Sequence, residues 1–169
     1  SEVFPETWVA VVQGGPKTAE NLLQLRWDYI FFTGGIKVGK LVAKAAAAHL
    51  TPITLELGGK NPCIVDQTAN IKVSARRIAW GKYMNCGQIC MSPDYVLVQK
   101  SKSKALITAL KSEIVRMYGE DPMKSEDYAR LVHEKHATAM VNLLEGQDIL
   151  YGGKHDVQHR YVAPTIISV

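Results

Sequence analysis

Residues 31–42 read FFTGGIKVGKLV. An apolar run closes on two glycines, and residues 38–50 (VGKLVAKAAAAHL) are rich in good helix formers. Strand, glycine turn and helix in that order predict a parallel sheet with helices packed on its faces, and the neighbouring segments repeat the order. Upstream, residues 8–12 (WVAVV) predict a strand closed by Gln13-Gly14-Gly15-Pro16, residues 18–25 a helix, and residues 29–32 (YIFF) a second strand. Downstream, Pro52 stops the helix, residues 53–57 (ITLEL) predict a third strand before Gly58-Gly59, and residues 63–66 a fourth. Residues 71–84 place Ile71, Ala75, Ile78 and Ala79 near helical spacing, leaving Lys72, Arg76 and Arg77 for the wet side. Residues 95–99 (YVLVQ) predict a strand, 104–118 a helix ended by the turn GEDP, 133–144 a helix, and 148–153 and 161–169 strands. The fold class is α/β with a mostly parallel sheet.

The glycines of the opening stretch raise two phosphate-binding readings. A nucleotide-hydrolysing loop needs Gly-x4-Gly-Lys followed by Ser or Thr, because that hydroxyl holds the magnesium ion. Here Gly34-x4-Gly39-Lys40 is followed by Leu41. The dinucleotide fingerprint Gly-x-Gly-x-x-Gly also fails, since Gly34, Gly35 and Gly39 are wrongly spaced. What survives is geometry: a strand meets glycines and a helix begins, with unpaired N–H groups and a positive dipole end that attract phosphate or pyrophosphate. A plain connecting turn remains the alternative.

Composition narrows the classes. With 169 residues, 47% hydrophobic and 21% charged, the chain has ordinary globular proportions. The net charge of +4 is mild and spread along the chain, with SKSK (residues 101–104) its densest run, so nucleic acid is not indicated. No apolar run approaches the roughly 20 residues of a membrane span, and SEVFPETW lacks the layout of a signal peptide. Cys63, Cys86 and Cys90 make no disulfide framework, which suits a reducing, cytoplasmic location. Cys86-x3-Cys90 and the histidine pairs His133/His136 and His155/His159 are weak metal patterns, and no metal is expected.

Two residues carry candidate chemistry. Glu56 lies inside an apolar strand, on the face opposite Ile53, Leu55 and Leu57, beside a double glycine. Partial burial there would raise its pKa towards that of a general base; a sheet-edge glutamate paired with a lysine is the plainer reading. In NCGQIC (residues 85–90), Cys90 falls where a helix gives way to a glycine-containing loop, so inward-pointing N–H groups could lower its thiol from the reference pKa of about 8.5. Cys86 and Cys63 read as small core hydrophobes.

Taken together, FFTGGIKVGK, LTPITLELGGKNPCIVD and RRIAWGKYMNCGQICMSPDYVLV resemble, in order, the nicotinamide-loop, base and nucleophile segments of aldehyde dehydrogenases. They are most similar to the class 3 branch, which acts on fatty and aromatic aldehydes. AVVQGG before them and YVAPTI after them extend the likeness over essentially the whole chain. The resemblance implies the C-terminal part of a Rossmann-like NAD(P)-binding domain over residues 1–57 and the N-terminal part of an α/β catalytic domain over residues 58–169. It implies Cys90 as nucleophile and Glu56 as general base, with NAD or NADP as cofactor and a small-molecule aldehyde as substrate. By the same carry-over Thr33, Gly34, Gly35, Val38 and Gly39 lie along the cofactor, and Leu57 and Gly58 approach the nicotinamide. The family usually has Ser where Gly35 stands here, so one hydroxyl donor to the pyrophosphate is missing.

The resemblance further implies a central slice of a longer subunit, homodimeric when intact. Its Pro-Trp-Asn segment for the oxyanion hole and its Glu-Glu-Ile-Phe-Gly-Pro segment for the ribose have no counterpart in this sequence, and the slice should leave sheet edges unpaired. Little or no turnover is expected of it alone. A non-catalytic relic or structural protein is the alternative reading.

Overall fold

Residues 3–168 are described by the computed structural model, and the chain divides after Gly58 into two units, Ser1–Gly58 and Gly59–Val169. In the first, helix α1 (Pro16–Leu23) opens with a proline at a position whose N–H needs no partner and whose φ suits a helix. Strand β1 (Ile30–Gly34), helix α2 (Ile36–Ala47) and strand β2 (Ile53–Leu57) form a strand–helix–strand crossover, with β1 and β2 parallel and in register from Ile30 opposite Ile53 to Gly34 opposite Leu57. Gly39, Val42 and Ala46 recur at helical spacing and are the buried face of α2. A Cβ on Gly39 would lie 2.8 Å from Leu57 Cδ2, so this glycine is what lets the helix approach β2.

The second unit opens with the same motif. Strand β3 (Asn61–Val65), helix α3 (Ile71–Tyr83), strand β4 (Pro93–Val98) and helix α4 (Lys100–Tyr118) follow in order, with β3 and β4 parallel. Asn70 caps α3 by accepting from the Val73 N–H at 3.2 Å. Leu106, Leu110, Ile114 and Tyr118 form an i, i+4 stripe on α4, and they pack with Val65, Ala75, Ile78, Ala79 and Tyr83 into the core. Helix α5 (Glu134–Asn142) builds a smaller cluster from Leu131, Ala137 and Val162. Strands β5 (Asp148–Tyr151) and β8 (Ile166–Ser168) pair antiparallel, as do β6 (His155–Asp156) and β7 (Tyr161–Val162).

Three expectations need correction. Residues 8–12 form no strand: the Trp8 and Val9 N–H groups both turn back to Pro5 O, at 2.9 and 3.1 Å, and no described strand offers the segment a ladder. Instead of one mostly parallel sheet, the described residues hold four two-stranded sheets, two parallel and two antiparallel. The expected closing strand over residues 161–169 is two, because fully buried Pro164 has no N–H to give a ladder; Val169 lies outside the described residues. Gly152, at φ 81°, closes against Pro164, whose carbonyl oxygen sits 2.1 Å from where a Cβ would be.

Candidate active site

Helix α3 runs out at Tyr83 into a short 3-10 turn, Met84–Gly87, in which Asn85, Cys86 and Gly87 take φ values of 50°, 56° and 75°. Three left-handed residues in a row reverse the sense of the chain, and the next turn carries Cys90, closed by the Ser92 N–H on Ile89 O at 3.1 Å. Gln88 braces this segment. Its Nε2 donates to Asn85 O at 3.0 Å and Arg130 O at 3.1 Å, and its Oε1 accepts from the Val132 N–H at 3.0 Å. On the far side of Cys90, Asn61 of β3 holds the loop.

The three cysteines separate by environment. Cys63 is half-buried on β3, and burial pushes its thiol up. Cys86 packs against both hydrophobic clusters and donates to Tyr128 Oη at 3.4 Å; burial pushes its thiol up, opposed by the Tyr128 bond and by Arg130. Both behave as the core residues their sequence context indicates. Cys90 alone is exposed, on a turn.

In the first unit, Thr33 stands opposite Glu56 across the β1–β2 ladder, and both are exposed. Glu56 is thus exposed where partial burial was expected: α2 covers the other face of the pair, through Gly39 against Leu57. Gly34 sits tightly, with Phe32 Cζ 2.5 Å from a would-be Cβ, while Gly35 and Gly58 have open space on that side. Gly35 begins α2 without any side-chain cap, and the first turn of α2 holds no acidic residue. Exposed Lys37, Val38 and Lys40 follow. A bare helix start flanked by lysines fits an anionic group such as a pyrophosphate. A cleft of about 300 Å³ lined by Leu23, Leu41, Ala45, Glu20, Gln24 and Lys44 lies between α1 and α2.

Thr33, Gly34, Gly35, Val38, Gly39, Glu56, Leu57 and Gly58 thus belong to the first unit and Cys90 to the second. Sequence reading missed Asn61 and Gln88; Gln88 sits inside the motif that drew attention to Cys90, whereas a lone polar residue opening an apolar strand carries no signal of its reach. His133 and His136 do meet, rings 5.5 Å apart, but among the described residues no group of three or more His, Cys, Asp or Glu gathers to hold a metal.

Parallel strand pairs linked through helices, with a glycine-led helix start and a braced cysteine turn, define a protein of the α/β class. The model of the aldehyde dehydrogenase family matches residues 2–169, and the chain belongs to that family. It is 49% identical over 157 residues to the dog (Canis lupus familiaris) aldehyde dehydrogenase, dimeric NADP-preferring, covering 93% of this chain and 35% of that protein. It is likewise 49% identical over 159 residues to aldehyde dehydrogenase family 3 member A2 of Mus musculus, covering 94% and 33%. Among solved structures, the substrate-bound state of Staphylococcus aureus AldH superposes with a TM-score of 0.89 at 44% identity, over 98% of this chain and 37% of that one. The chain therefore spans about a third of the length of the relatives it matches.

Proposed function

We propose that the protein, within the subunit its relatives exemplify, oxidises aldehydes to carboxylic acids with NAD or NADP, using Cys90 as nucleophile and Glu56 as general base. The observation that carries this reading is the contrast among the cysteines: two are packed among apolar groups, and the third is exposed on a turn braced from both sides. A thiolate is the attacking form, and an exposed position leaves the sulfur open to a substrate.

The Cys90 sulfur attacks the aldehyde carbon, and its own backbone N–H donates to the oxyanion that forms. When bound, the nicotinamide supplies the acceptor for the hydride that leaves the substrate carbon. Glu56 takes a proton from water, whose oxygen attacks the acyl group held on Cys90, releasing the acid and restoring the thiol. The N-terminal turn of α2, behind Gly34 and Gly35, is where this chain would hold the pyrophosphate, with Thr33, Val38 and Gly39 along the cofactor and Leu57 and Gly58 towards the nicotinamide. This makes the first unit the end of a cofactor domain and the second the start of a catalytic one.

An aldehyde substrate, a dimeric assembly and a cytoplasmic location complete the proposal. The first two follow the names of the relatives, one of which is called dimeric and NADP-preferring; the third follows three free thiols. Aldehyde-dependent NADH or NADPH production by a complete subunit carrying this chain, repeated with Cys90→Ser and Glu56→Gln, tests the reading. Both substitutions should abolish turnover, a loss of at least about a hundredfold. Activity retained by Cys90→Ser refutes it.

A further inference from the structure

Asn61 is the first residue of β3, and its side chain reaches across to the loop that carries Cys90. Nδ2 donates to the Cys90 carbonyl at 2.8 Å and to the Ser92 carbonyl at 3.1 Å. An amide nitrogen has two hydrogens, so the two bonds use its whole donor capacity. Around it the local structure is built to hold the amide in place. Gly59 lies so close that a Cβ there would stand 3.1 Å from Asn61 Oδ1. The β3–β4 ladder slips one residue beside Asn61, which pairs with Pro93 while Pro62 pairs with Tyr95, leaving Asp94 outside the ladder. Lys60 reaches that displaced Asp94 at 3.2 Å, fastening the same two strand starts on their wet side. Behind the loop, the Ser92 hydroxyl donates to Lys82 O at 3.3 Å.

We propose that Asn61 is a positioning residue for Cys90: by holding the carbonyls on either side of Met91 it fixes the backbone torsion that follows the Cys90 Cα, and with it the direction in which the sulfur points. The inference rests on the reading of Cys90 as nucleophile. Gln88 fixes the chain before Cys90 and Asn61 fixes it after, so the sulfur leaves a backbone pinned on both sides. Attack on a carbonyl carbon demands a narrow approach direction, with the oxyanion developing towards the Cys90 N–H; alkylation by a small halide asks much less of the same sulfur. Holding Cys90 therefore matters for acyl chemistry and little for simple thiol reactivity.

That difference supplies a test free of cofactor. With p-nitrophenyl acetate, the Cys90 sulfur bonds to the acetyl carbon, the ester C–O bond breaks, p-nitrophenolate leaves and the thiol proton passes to solvent; the burst of nitrophenolate reads acyl transfer. Iodoacetamide labelling of Cys90, followed by mass spectrometry, reads thiolate availability. Asn61→Ala, and Asn61→Asp, which keeps the shape but presents oxygen instead of two N–H donors, should each slow the burst about tenfold while alkylation stays within about twofold. Asn61→Ser, with one shorter donor, should fall between. Equal losses in both reactions, or no loss in either, overturn the proposal. So does a collapse of helical circular dichroism in all three variants, which would assign Asn61 to folding instead. If Cys90→Ser retains the burst, the nucleophile reading fails too, an outcome distinct from failure of Asn61 alone.

Discussion

Helix α2 lies on β1 and β2 and buries Gly39, Val42 and Ala46, whereas α3 and α4 together cover β3 and β4 with Ala75, Ile78, Ala79, Leu106, Leu110 and Ile114. The same strand–helix–strand motif thus has one thin layer of apolar contact in the first unit and a core in the second. Trp8, Val11, Phe31, Leu41 and Leu50 remain exposed in the first unit, Trp8 at 77% and Leu50 at 91%. Secondary structure can therefore be in place where burial is slight, because the β1–β2 ladder and the i, i+4 bonds of α2 satisfy the backbone whether or not the side chains leave water. Burial, not hydrogen bonding, sets which unit is the stable one.

The contrast should show most strongly in paired truncations. Ile114, 0% exposed, sits at the centre of the second unit's core, and Ile114→Ala should destabilise that unit by about 3–4 kcal/mol in urea unfolding. Val42, 2% exposed in the first unit, should lose only about 1–2 kcal/mol when cut to Ala. A Val42→Ala effect equal to that of Ile114→Ala would break the comparison.

Alkali should also divide the units. Burial pushes Tyr83, Tyr128 and Cys86 up, all in the second unit, so their ionised forms are disfavoured only while it is folded. A folded pKa above the unfolded one means stability that is fully present below the unfolded value and lost as pH rises. From about pH 10, where free tyrosine ionises, each buried phenol should lower the second unit's stability by about 1.4 kcal/mol per pH unit. Tyrosinate absorbance from these buried phenols should lag and then appear together with unfolding of the second unit. Early titration of every tyrosine with the core intact would contradict the burial described.

The smallest effect concerns the uncapped start of α2. Gly35→Ser places a hydroxyl where a Cβ meets nothing within 4 Å, and should stabilise the first unit by about 0.3 kcal/mol, read by amide exchange in α2. Phosphate or pyrophosphate should lose this gain by competing for the same N–H groups.

Much of the frame was legible in advance. ITLEL, followed by two glycines and preceded by a proline, gave β2 its bounds, and the Ile71, Ala75, Ile78, Ala79 spacing found both α3 and its buried face. What escaped depended on partners distant in sequence. WVAVV has the composition of a strand, yet a strand exists only with a neighbour, and none of the described residues supplies one. Two-residue β6 and β7 are too short to leave a period, and the start of α4 at Lys100 was hidden because Lys and Ser at its first turn carry no apolar spacing. At the candidate site, loop context singled out Cys90 as a candidate and a place in a strand singled out Glu56, but the exposure of Glu56 could not be foreseen, because it depends on which face of the sheet a helix covers. Asn61 was invisible for a similar reason: its partners lie 29 and 31 residues away.

The left-handed run at Asn85, Cys86 and Gly87 has a bearing on timing. Asparagine and glycine enter that region readily, but a cysteine there is disfavoured by about 1–2 kcal/mol, so the bend at Cys86 is a standing strain met once, when the polypeptide folds. On the proposed reading of Cys90, a loop bent by the fold itself leaves that bend already made when an aldehyde arrives. Such preorganisation ties the readiness of the sulfur to the integrity of the core beneath Cys86 rather than to the arrival of a ligand.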